Sequence, residues 1–162
     1  MRSDILNENS GRSDFNAKVE NVTPAADGTA SSFTRSLSTD DSGKVFFCDI
    51  STYDATFQLP AVADSVGVHY KWILNNASNN EATKNLLVCT NAAGEDIVGN
   101  VMLAGAVLEI TGNSSVEVDT SAGAATYGDW LSVISDGEYW YIDGSVVTAS
   151  AVIQAAGIAM TS

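Results

Sequence analysis

Nucleophilic catalysis in this chain would have to pass through His69, its one histidine, paired with a serine or with Cys48 or Cys89, its two cysteines. Such a base must reach the nucleophile at hydrogen-bond distance and be oriented by a third group. His69 lies between Val68 and Tyr70 in an alternating stretch, and no Gly-x-Ser-x-Gly elbow presents a serine to it. The cysteines sit in the apolar runs KVFFCDI and NLLVCT. Such runs favour buried, protonated thiols over reactive thiolates, with a single cross-sheet disulfide as the alternative. Glu109 with Glu117, or Asp129 with Asp136, are the carboxylate pairs that could serve as acid and base, but no surrounding motif distinguishes them from solvated strand edges. There is no Cys/His ligand spacing, no Asp-x-Asp-x-Asp-Gly loop and no glycine-rich phosphate loop, so neither a metal nor a cofactor is expected. Asn-x-Ser/Thr at Asn21, Asn76 and Asn113 reads as turn chemistry, and the polar stretch Asn75–Asn85 as a hairpin tip rather than a sugar site. The expectation is a protein that is not an enzyme.

Charge narrows the partners. Seven Lys and Arg stand against twenty Asp and Glu, a net charge of −13 over 162 residues. That field repels phosphate backbones and argues against nucleic acid as a partner. The start, MRSDILNENSGRSD, has no apolar core of a secretory signal, and no apolar run approaches membrane-spanning length. Synthesis in a cytosol and no membrane partner are therefore expected.

The elements that position these residues read as strands. Charged residues make up 17% of the chain, below the roughly 25% of ordinary soluble domains. Short candidates recur at spacings typical of sandwiches and barrels: 33–37, 44–50, 55–59, 68–74, 85–90, 96–103, 107–111, 115–119, 130–135 and 138–142. Gly and Asn turns separate them, as at Asp41-Ser42-Gly43, Asn75-Asn76 and Asp136-Gly137. In VHYKWIL, Val68, Tyr70, Trp72 and Leu74 share one face, the mark of a half-buried strand. The expected fold is all-β, a compact antiparallel sandwich or barrel over residues 33–145. Residues 1–32, polar with scattered apolar side chains, read as an extended N-terminal arm. Residues 146–162 read as a C-terminal segment on the core or a neighbour, with a short helix over Val146–Ala156 and a terminal strand as the alternatives.

SDGEYWYIDG, residues 135–144, packs three consecutive aromatics behind an Asp-Gly corner. A two-residue Asp136-Gly137 loop would pair Ser135 with Glu138, Val133 with Trp140 and Leu131 with Ile142. One face of that hairpin is apolar, and the other, with Trp130, Ile134, Tyr139 and Tyr141, is apolar as well. A sandwich strand has one outer face, so the second set is expected at an oligomer interface, where Tyr and Trp are favoured.

Three segments together, STDDSGKVFFCDISTYDATFQLPAVADSVGVHYKWIL, GEDIVGN and YGDWLSVISDGEYWYIDGS, resemble small virion proteins of tailed bacteriophages. The likeness is strongest to head decoration, or cement, proteins and looser to head- and tail-fibre modules; it covers about residues 38–145. It implies a β-tulip-like domain on the outer surface of the virion capsid. Such a domain would be a homotrimer that clamps adjacent major capsid protein subunits, with an N-terminal arm reaching the shell. Ile5, Leu6, Phe15 and Val19 would be the arm's capsid contacts. The alternative is a fibre or adhesin module that binds host surface glycans.

Overall fold

The computed structural model describes residues 18–22, 32–50, 54–76, 84–119, 127–147 and 152–155. Twelve strands form two sheets packed as a sandwich: β1 Lys18–Val22, β2 Ser32–Ser36, β3 Lys44–Asp49, β4 Asp54–Gln58, β5 His69–Asn76, β6 Asn85–Cys89, β7 Ile97–Leu103, β8 Ala106–Asn113, β9 Ser115–Asp119, β10 Trp130–Ser135, β11 Trp140–Val146 and β12 Val152–Ala155. The seven-stranded sheet runs β1-β3-β5-β10-β11-β7-β8, and the five-stranded sheet runs β12-β9-β6-β4-β2. The all-β sandwich expected from the sequence is thus what the chain forms.

Its sheets are mixed rather than antiparallel. β1, β3 and β5 are parallel neighbours in one sheet, and β2, β4 and β6 are parallel neighbours in the other. The chain alternates between sheets, so each parallel crossover is made by a strand of the opposite layer instead of a helix. Two crossovers share one design. Leu37 and Leu59 are buried at their starts, and each donates its N–H to the end of the next strand in its own sheet, to Gln58 O of β4 and Cys89 O of β6, both at 2.8 Å. A short 3-10 turn follows in each, Thr39–Asp41 and Val62–Asp64. Gly43 and Gly67, at φ of 84° and 76°, then donate to His69 O and Ser135 O. From β7 onward the meander is antiparallel except for β11 beside β7.

Two expectations shift at the termini. Lys18–Val22 falls in the segment read as an arm, but it is an edge strand: Val22 pairs with Cys48 and is buried. Within 146–156, where a short helix is one alternative, the described residues form no helix: Val146 ends β11, and Val152–Ala155 pairs antiparallel with β9; residues 156–162 lie outside the described residues. Isolated apolar residues with little periodicity hid both strands, because each is held by a neighbour distant in sequence.

The core lies between the sheets. Phe46, Phe57, Trp72, Tyr70 and Trp140 are essentially buried and chain together, with ring centroids 5.0 Å apart for Phe46–Phe57, 5.6 Å for Phe57–Trp72 and 6.0 Å for Tyr70–Trp140. Burial of each such side chain is worth about 2–3 kcal/mol. Tyr70 threads its hydroxyl out to Ser38 O at 2.7 Å, while the indole N–H groups of Trp72 and Trp140 meet no acceptor among the described residues. Gly99 and Gly144 make room in this layer. A Cβ on Gly99 would lie 2.2 Å from Ile142 O, and one on Gly144 would lie 2.6 Å from Trp130 O.

The β1/β2 end of the sandwich is closed by charge. Glu20 and Lys44 extend the inward row of Phe46, and Arg35 extends that of Phe57. Arg35 pairs with Glu20 and stacks over Phe46 at 5.2 Å; Lys44 reaches Asp41 at 2.6 Å and Glu20 at 3.2 Å. Inward-pointing charges of this kind discourage a further strand from adding to the edge. Burial pushes the Asp41 carboxyl up, but hydrogen bonds from Lys44 and from Ser38 outweigh it and hold it at about 2. Burial likewise raises Glu20, and contacts with Arg35 and Lys44 leave it below the usual carboxylate range.

Candidate functional site

Register across the seven-stranded sheet sorts its outward side chains into rows. One row reads Asn21, Phe47, Ile73, Trp130, Ser145, Met102, Val107 from edge to edge. The next reads Val19, Val45, Lys71, Ser132, Asp143, Asn100, Glu109, polar except at its β1 end. A third reads His69, Ile134, Tyr141, Val98, Thr111. Two apolar bands flanking a polar one therefore cross the outer face. Val19, Met102, Val107, Ile134 and Tyr141 on this face are among the exposed large hydrophobics, at 43% to 65% of full exposure. Strands β2, β4, β6 and β9 of the five-stranded sheet contribute none among the described residues.

The aromatic hairpin supplies the centre of this surface. Leu131, Val133, Trp140 and Ile142 face the core and are almost fully buried. The opposite side is not roofed by the described residues: Ile134 is 50% exposed and Tyr141 43%. The register differs from the expected one by two residues. Ser135 pairs with Trp140, Val133 with Ile142, and Leu131 with Gly144. The cause is Asp136. Its carboxylate accepts the N–H groups of Glu138 at 2.8 Å and Tyr139 at 2.9 Å, so Asp136–Tyr139 form a four-residue loop with only Gly137 at positive φ. Side-chain capping of the loop replaces the two-residue turn. A slip of two residues preserves which side chains face the core, so the division into faces is unchanged.

The four expected interface residues separate into two groups. Trp130 belongs to the row of Phe47 and Ile73, and the Lys71 ammonium lies 4.0 Å from its ring centroid. Ile134 and Tyr141 pair directly in the third row, and Tyr139 adjoins them with its ring 6.4 Å from that of Tyr141, edge to face. The Tyr141 hydroxyl donates to Asp136 at 2.9 Å. Backbone hydrogen bonds from Tyr139 and Glu138 hold Asp136 below the usual carboxylate range. The charge of Glu138 raises Tyr139, and the bond to Asp136 raises Tyr141. Both phenols thus remain protonated donors well above neutral pH. Of the expected arm contacts, Ile5, Leu6 and Phe15 lie outside the described residues. Val19 is on β1, pointing outward and 59% exposed.

The residues that could have done acid–base or nucleophilic chemistry are scattered. His69 is exposed at the start of β5, its Nδ1 3.3 Å from Gly67 O. Cys48 and Cys89 are buried free thiols; burial pushes Cys48 up to about 12 and raises Cys89. Glu109 and Glu117 stand on different sheets, and Asp129 and Asp136 flank opposite ends of β10. Asp129 is buried and accepts the Val147 N–H at 3.1 Å. Among the described residues no group of three or more His, Cys, Asp or Glu is placed to hold a metal ion, and no helix is long and apolar enough to cross a membrane. No family model matches the chain, and no curated protein matches it significantly.

Proposed function

We propose that this protein is a bacteriophage virion component that binds the outer surface of the capsid as a homotrimer and clamps neighbouring capsid subunits. The observation that carries this reading is the coincidence of two features at one end of the seven-stranded sheet. Because β1, β3 and β5 run parallel and β10 runs against them, Lys18, where residues 1–17 join, lies at the same end as the Asp136–Tyr139 loop. An arm and an aromatic loop can then meet one shell together. The row through Phe47, Ile73, Trp130, Met102 and Val107 is left to join copies side by side. Each contact can be weak, because a trimer presents three loops and three arms at high effective concentration.

Co-sedimentation of the purified protein with expanded empty capsids tests the reading. Saturable binding is expected, and removal of residues 1–17, which stops short of β1, should weaken it by an order of magnitude or more. A protein that coats no capsid refutes the proposal, and specific retention on host glycans in its place would establish the fibre-module alternative.

A further inference from the structure

The Asp136–Tyr139 loop has a feature that oligomerisation does not use. Tyr139 and Tyr141 stand edge to face at 6.4 Å, and a single carboxylate fixes both. Asp136 takes the Tyr139 N–H on Oδ1 at 2.9 Å and the Tyr141 hydroxyl on Oδ2 at 2.9 Å. The charges of Glu138, Asp96 and Asp136 all bear on Tyr139. Val66, 72% exposed, lies under the loop, where its methyl is the nearest neighbour of Gly137. Two preorganised aromatic rings therefore stand among carboxylates, with an exposed aliphatic side chain against the neighbouring Gly137.

No ion pair among the described residues reaches these acids. Arg35 and Lys44 are engaged by Glu20 and Asp41 at the β1/β2 end of the sandwich. Lys71, the cation nearest in kind on this face, is placed over Trp130. That contact shows the same face satisfying an aromatic ring with an ammonium, whereas the tyrosine pair, richer in negative charge, has none from the described residues. The surface row nearest the loop adds no positive side chain beyond His69. A second copy pressed face to face here would bring Asp136 and Glu138 of one chain against those of the other, which is repulsive.

We infer that this loop seats a lysine or arginine side chain of the capsid protein. The rings supply cation–π attraction and the neighbouring carboxylates supply charge. The inference rests on the capsid reading above and adds to it the chemistry of the contact. Asp136 is spent on holding the loop and Glu138 also takes a hydrogen bond from the Tyr139 hydroxyl, so the remaining lone pairs of Glu138, the Asp96 carboxylate and the Tyr139 ring are left to meet the cation.

Binding of the full chain to expanded capsids, measured against sodium chloride concentration, tests it. The double variant Glu138→Gln/Asp96→Asn should bind about ten-fold more weakly at low salt, with a flatter salt dependence, while its thermal unfolding stays at the wild-type temperature. Tyr139→Leu, which keeps bulk but removes the ring quadrupole, should lose several-fold in affinity without changing the salt slope. Capsids whose lysines have been acetylated, used as the probe, should bind the wild type more weakly and the double variant no differently from untreated capsids. Wild-type binding that is unchanged in all variants overturns the cation site and leaves the capsid reading intact. Absence of wild-type binding overturns both. Loss on Tyr139→Leu with full affinity in the charge variants overturns the cation in favour of a stacked sugar or apolar group.

Discussion

The two sheets of this sandwich share one core and present opposite exteriors. On the five-stranded sheet the outward row runs Thr34, Thr56, Leu87, Glu117, Ile153, two apolar residues among five, and the next row is tied up internally, as where Ser36 donates to Gln58 at 2.9 Å. On the seven-stranded sheet the comparable row carries Phe47, Ile73, Trp130, Met102 and Val107. Both exteriors belong to strands with equally apolar interiors. The larger sheet is thus the more apolar outside, which is the ground on which the proposed contacts are assigned to it. The acids differ too. At the β1/β2 end, Glu20 and Asp41 are surrounded by cations and held low, whereas on the five-stranded sheet burial raises Glu117, and Asp119 and Asp54 add repulsion.

The largest effect should come where the seven-stranded sheet is tightest. Gly99→Ala forces a Cβ against Ile142 O at a backbone φ of 139°, and should destabilise the fold by about 3 kcal/mol in denaturant titrations. A change that leaves the unfolding midpoint in place would show that the β7–β11 seam gives way easily. Next, acid should undo the charged closure. Both folded carboxyls lie below their unfolded values, so their stabilisation is complete above about pH 5 and is lost as pH falls through the folded values, about 2 for Asp41. The loss at Asp41 should be roughly 1 kcal/mol, the scale of partly exposed ion pairs, and Asp41→Asn should flatten that part of the stability–pH curve.

Smaller effects on folding separate the two exteriors. Trp130→Ser with Met102→Ser should change folding stability by no more than about 0.5 kcal/mol yet reduce the proposed trimer to monomers in light scattering. Leu87→Ser on the other sheet should leave the assembly unchanged, and equal behaviour of the two would erase the distinction drawn between them. The smallest change is expected for Glu117→Gln. Asn85 donates to Glu117, and the amide keeps that acceptor. The folded carboxyl is raised, so its charge opposes folding at neutral pH, and that opposition fades as pH falls through the raised value. The variant should therefore melt slightly higher at pH 7 and show no gain near pH 4.

Much of this was legible in the residues. Ten strands lie within a few residues of where alternation and turn chemistry put them, and the split of the hairpin into a core face and an outer face survives because faces depend only on odd and even positions. Two crossovers carry a readable echo, Leu37 to Asp41-Ser42-Gly43 and Leu59 to Asp64-Ser65-Val66-Gly67, which signals the coil only once both are seen to begin with a buried leucine. The hairpin register was hidden because the Asp136 side chain, rather than backbone propensity, chose the loop.

Local periodicity therefore determined which segments are strands and which side of each is apolar, since that information resides in neighbouring residues along the chain. Tertiary structure alone decided which strands lie together, closing the β1/β2 end with four charges from distant segments and aligning Phe47, Ile73, Trp130, Met102 and Val107 into one band. Those arrangements depend on contacts between residues tens of positions apart, and a strand's own pattern carries no record of its partner's identity or register.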